Sequence, residues 1–201
     1  MGITHHLNHI FIMMYMVFSY NCAGLSYTKL SRQNPEKLIA MQDSLLLAHG
    51  ESSNLVNALM YAHNHVGIES VSKNNYMKAS NHFLQALELN DQDTITQYNL
   101  FLVEGHIFLE KGNKNGLWDG MEKYSHAASL RPDLGEPHYW IAQIYIKLGD
   151  TDFDLILESY EKALSLTMDQ ALLSRAEKGY NETLERKKKL DKFWKSIVLT
   201  W

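Results

Sequence analysis

One cysteine, Cys22, stands in a chain of 201 residues, so no disulfide can close within it and no multi-cysteine metal site can form. Three prolines and eleven glycines are too few for a collagen-like or low-complexity chain. Ile10–Tyr20 is an apolar run of eleven, short of the roughly 20 residues a transmembrane helix needs. There is no Gly-rich phosphate loop, no nucleophile elbow, no HExxH and no credible pair of catalytic carboxylates. Those absences predict a protein that is not an enzyme and carries neither cofactor nor metal. A net charge of −4 gives no reason to expect a nucleic-acid partner.

What is present is a helix-rich composition, 45% hydrophobic with ten histidines. The histidines are scattered. His63 and His65 point about 200° apart on a helix and cannot share a metal ion. His82, His106, His126 and His138 fall in separate helices, and all read as solvated or hydrogen-bonded surface groups.

The strongest pattern is periodic. In Asn75–Asp91 the residues Tyr76, Ala79, Phe83, Ala86 and Leu87 share one face of a helix of about four turns. An aromatic, two residues, alanine, two residues and leucine recur as Phe83–Leu89, Tyr124–Leu130 and Tyr160–Leu166. The alanines are spaced 41 and 36 residues apart. This recurrence resembles the second helix of the tetratricopeptide repeat, a helix–turn–helix unit of about 34 residues. Before each such helix, the positions the family fills with a small residue hold Gly67, Gly105 and Ala142. Departures are Ser70 at an aromatic site, Gly120 and Ile156 at alanine sites, and short insertions at Lys114–Gly120 and Thr151–Asp152.

The resemblance implies an all-α, right-handed superhelix of antiparallel helix pairs with a C-terminal capping helix. Residues 1–26 read as a secretion signal or N-terminal membrane anchor. Residues 27–53 read as a polar linker to Asn34 followed by one half-repeat helix from Pro35 to Ala48. Three repeats span about 54–91, 94–133 and 135–168, and a basic capping helix fills 169–201. Met168–Trp201 holds eight Lys/Arg against five Asp/Glu. Its Lys187-Lys-Lys189 run could suggest anionic lipid or nucleic acid. Helical pairing of Glu182 with Arg186 and of Glu185 with Lys189 favours a solvated face instead.

In this family the first helix of each repeat lines a concave groove. The implied lining is Tyr61, Asn64 and Ile68, then Asn99, Leu102 and His106, then Tyr139, Gln143 and Lys147. Mixed aromatic, amide and aliphatic side chains suit an extended or helical peptide. With Lys147 the only cation, a lysine-rich carboxylate clamp is disfavoured. The expected function is a non-catalytic scaffold for a protein or peptide partner. Its expected place is exported, periplasmic or anchored at the cell envelope, with Cys22 as a candidate lipidation site. The alternatives are an intracellular, cytoplasmic adaptor with an N-terminal hydrophobic anchor, and an enzyme-associated accessory subunit.

Overall fold

The computed structural model describes residues 27–149 and 152–198. The run Ile10–Tyr20 and Cys22 lie outside the described residues. The chain divides into two compact units at Asp93/Thr94. The first holds α1 (27–33), α2 (Pro35–Ala40), α3 (Gln42–His49), α4 (Ser53–Ser72) and α5 (Tyr76–Leu89). The second holds α6 (Thr94–Lys111), α7 (Lys114–Leu130), α8 (Glu136–Leu148), α9 (Phe153–Leu164) and α10 (Gln170–Val198). Among the described residues there is no strand, only an isolated bridge between Leu134 and Thr167. The fold is all-α, as the repeat pattern predicts.

Side-chain caps set where the helices start. Asn34, Asn75, Asn113 and Asp152 each accept a hydrogen bond from the backbone N–H three residues on. Asp169 accepts from both Ala171 and Leu172. Each contact satisfies an amide that the first turn leaves unpaired, worth about 1 kcal/mol. The short turns between capped helices fold α4 back on α5, α6 on α7 and α8 on α9.

Small residues let those pairs close. A Cβ built on Gly67 would stand 2.5 Å from Phe83 Cε1, and one on Gly105 would stand 2.4 Å from Tyr124 Cε1. Phe83 and Tyr124 are both fully buried, so each ring lies against the bare backbone of the facing helix. In the third pair Ala142 packs with Tyr160 and Ala163. Each pair is thus locked by a small residue against an aromatic ring. In α10, Gly179 repeats the device against Tyr160, whose Oη would lie 2.3 Å from an added Cβ.

Three local expectations change. The polar stretch before Asn34 is not a linker: 27–33 is helical, and Tyr27 and Leu30 pack with Leu38, Leu55 and Leu59. The physical reason is a spacing of three, which sets both side chains on one helical face. The half-repeat is not one helix from Pro35 to Ala48. It breaks at Met41, whose N–H bonds back to Leu38 O at 3.1 Å; no residue in the sequence marks that break. Lys114–Gly120 is not an extended turn but the first two turns of α7, because Asn113 caps it and Leu117 is buried.

Candidate functional site

In the first unit, the α4 positions implied for the groove face outward. Tyr61 is 45% and Ile68 is 54% exposed, while Leu55, Leu59, Ala62 and Val66 on the other side of the helix are buried. Half-buried Asn64 lies between them, its amide donating to Met60 O at 3.2 Å. The Arg32 guanidinium of α1 sits 5.8 Å from the Tyr61 ring centroid, a cation–π contact. The result is an apolar-aromatic stripe with one amide, held on a helix whose back is packed.

In the second unit the expected lining is largely consumed by packing, and this corrects the groove reading. Leu102, His106 and Tyr139 are buried. Leu102 belongs to the cluster of Tyr98, Tyr124 and Ile144. His106 Nδ1 meets Tyr124 Oη at 2.7 Å, and its ring lies edge-on to Trp140 at 4.7 Å. Asn99 is half-buried. The physical reason is that the face carrying these residues overlaps the face that meets the next aromatic, so family position alone does not give exposure.

Tyr139 and Gln143 still border an open pocket of about 350 Å³ against α9 and α10, together with Ile146, Tyr160, Arg175 and Arg186. Gln143 Nε2 donates to Tyr160 Oη at 2.6 Å. Burial pushes the Tyr160 hydroxyl up to about 12, so it stays protonated. Lys147 turns aside, and its ammonium donates to Leu109 O at 3.2 Å.

A larger opening, about 740 Å³, lies elsewhere in the same unit, between α7, α8 and α9. Met121, Ile141, Tyr145 and Leu155 supply its apolar wall, and Glu158, Glu161 and Lys162 its charges. His138 lines it, with its pKa held below the usual value by burial and then by the Lys162 charge. None of these residues stands out in the sequence as part of a site. The available signal was Met121, Ile141 and Leu155 standing off the alanine–aromatic stripe.

Two histidines are core groups, contrary to their reading as surface side chains. His63 on α4 and His106 are both buried. His63 Nε2 lies 2.8 Å from Gln42 Oε1, and its Nδ1 lies 3.1 Å from His82 Nδ1 on α5. Gln42 can only accept there, so His63 donates through Nε2 and accepts at Nδ1 from the His82 N–H. Among the described residues, no three His, Cys, Asp or Glu side chains converge as a metal site. No helix among them is long and apolar enough to cross a membrane.

No protein-family model matches the sequence, and no curated protein matches it. Solved structures with similar backbones include PcrH, crystallised with the chaperone binding region of PopD. It is 17% identical with a TM-score of 0.47, over 62% of this chain and 90% of that one. Residues 41-end of MamA from Desulfovibrio magneticus RS-1 are 13% identical, TM-score 0.43, over 82% and 97% of the two chains. A thermophilic TPR protein of Thermus thermophilus is 17% identical, TM-score 0.41, over 85% and 95%. The helix hairpins and their glycine–aromatic interlocks define the class of this chain: an all-α protein built from antiparallel helix pairs.

The buried histidines give the molecule a pH dependence. Burial depresses the pKa of His63 to about 4, with a further contribution from His82, and burial depresses that of His106 to about 4. An unfolded histidine titrates near 6.5. Between about 6.5 and about 4 the unfolded chain therefore binds protons that the folded chain refuses. Each residue should remove stability as pH falls through that window, by up to about 1.4 kcal/mol per pH unit. Urea unfolding at a series of pH values checks this. His63→Gln and His106→Gln should each flatten the acid limb, and slopes equal to wild type in both variants would contradict the assignment.

Proposed function

We propose that this chain is a non-catalytic scaffold that holds a peptide or partner protein on exposed faces of its first-of-pair helices. The observation that carries this is the α4 stripe, where Tyr61 and Ile68 present large apolar surface to solvent from a helix already packed on its other side. An exposed apolar stripe with an amide between its anchors suits a short amphipathic segment bound by two side chains and one polar contact. In the second unit, the pocket bordered by Tyr139 and Gln143 offers a second place for side-chain anchors, with Arg175 and Arg186 as flanking polar groups; Asn99 and Lys147 do not line it. Leu102 and His106 serve the core and leave the proposed contact set.

Selection of peptides from a random library against the full chain tests the reading. Selected peptides should lose at least about tenfold in affinity on Tyr61→Ala or Ile68→Ala, the loss of one interface anchor. Both residues are exposed, so the folded state should be little affected. A failure to select any sequence-specific peptide, or affinities unchanged in both variants, would overturn it.

The place of action we propose is the cell envelope, reached through the N-terminal region and, if that region is cleaved, through acylation of Cys22. Its support is the eleven-residue apolar run followed closely by the chain's one cysteine. The mature mass should show loss of the leading residues and addition of acyl chains, and Cys22→Ser should release the protein from membranes. An intact N-terminus in a soluble fraction would contradict this.

A further inference from the structure

Among the described residues, the far half of α10 contributes no buried side chain. The buried residues of α10, Leu172, Ala176 and Thr183, all lie in the first half. The Lys187 ammonium pairs with Asp154 of α9. From Lys188 to Ser196 every residue is exposed. Three of them are large and apolar: Leu190 at 41%, Phe193 at 54% and Trp194 at 55%.

Their arrangement is ordered. At about 100° per residue, Leu190, Phe193, Trp194 and Ile197 fall within one arc of the helix, and the Phe193 and Trp194 rings touch edge to face at 5.5 Å. Lys188, Lys189, Lys192 and Lys195 fall on the opposite arc, which they share with Ser196, and Asp191 lies at its edge. Residues 186–198 carry six Lys/Arg against one acid. The helical pairing that would neutralise such a run is thin. Lys188 bonds Glu185 at 2.9 Å, and no carboxylate lies within ion-pair distance of Lys189, Lys192 or Lys195 among the described residues.

Three occupants of this helix can be compared by charge. An apolar groove on a protein would cover Phe193 and Trp194 but leave the lysine arc without a role. A second copy of the chain would bring two strongly basic segments together at a Coulombic cost. An anionic bilayer surface answers both arcs at once. The aromatic and leucine side chains enter the boundary between headgroups and acyl chains, and the long lysine side chains reach back to the phosphates.

We infer that the α10 segment from Lys188 to Ile197 is an interfacial helix that lies on an anionic phospholipid surface. It neither spans the bilayer nor depends on the apolar run Ile10–Tyr20, and it is independent of the peptide-binding reading. Attraction of the lysines to the lipid phosphates draws the helix to the surface, and burial of Phe193 and Trp194 holds it there.

Sedimentation of the full chain with vesicles tests this, using phosphatidylcholine alone and phosphatidylcholine mixed with phosphatidylglycerol. Binding is expected to the mixed vesicles and to weaken as salt is raised. Lys189→Gln, Lys192→Gln and Lys195→Gln together should lower partition on the order of a hundredfold, given the strength of each lysine–surface attraction. Phe193→Ala with Trp194→Ala should lower it at least about tenfold. All five side chains are exposed, so helix content and unfolding midpoint should match wild type and certify the variants as folded. Equal binding to neutral vesicles, or partition unchanged in these variants, would overturn the inference, the second also assigning any binding to the N-terminal run. A dimer abolished by Phe193→Ala with Trp194→Ala, with no vesicle binding, would overturn it in favour of a second copy.

Discussion

A ring laid against the bare backbone of a facing helix is the contact the other features of each unit depend on. Phe83 against Gly67 and Tyr124 against Gly105 bring the paired helices too close for even a methyl group. A glycine inside a helix costs about 1 kcal/mol relative to alanine. Full burial of an aromatic side chain returns about 2–3 kcal/mol, so the close approach wins. Once the helices are that near, side chains flanking the ring have no solvent to face. His106 and Leu102 become core for this reason, and His63 is shut in with His82 and Gln42.

The same contact accounts for the chemistry of the interior. Imidazoles enclosed by rings and aliphatic groups lose hydration, and burial is the largest cause of the lowered pKa in both His63 and His106. Their hydrogen bonds to Gln42, His82 and Tyr124 satisfy the neutral form. They act as polar fixtures that orient the core. Exposed large apolar side chains concentrate away from those rings, on the outer stripe of α4 and the far half of α10.

Much of the fold was readable because it is written in short-range patterns. The recurring aromatic–alanine–leucine spacing placed α5, α7 and α9, and Gly67 and Gly105 were readable as the small partners of the facing rings. Asparagine and aspartate are favoured N-caps, so the starts of α2 at Asn34 and α10 at Asp169 follow from residue type. The candidate site was less readable, because exposure depends on which neighbours cover a face. Ile68 remains open while His106, one residue past the small Gly105 just as Ile68 is one past Gly67, is closed by Tyr124 and Trp140. The Lys114–Gly120 stretch misled because two glycines in a polar run look like a turn, whereas Gly120 is packed so closely that an added Cβ would stand 3.3 Å from both Gly105 O and Ile144 Cδ1. The C-terminal lysines were readable as a charge run, but their meaning turned on whether Phe193 and Trp194 were covered.

The claim that the glycine–ring contact organises each helix pair is tested most directly by a double-mutant cycle on Gly67 and Phe83. Gly67→Ala alone should destabilise by about 1–3 kcal/mol, since overpacking outweighs the gain in helix propensity. Leucine has no atoms where Phe83 Cε1 and Cζ stand, so in the Phe83→Leu background the cost of Gly67→Ala should shrink by at least about 1 kcal/mol. Additivity within about 0.5 kcal/mol, the behaviour of independent sites, or stabilisation by Gly67→Ala alone, would contradict the account.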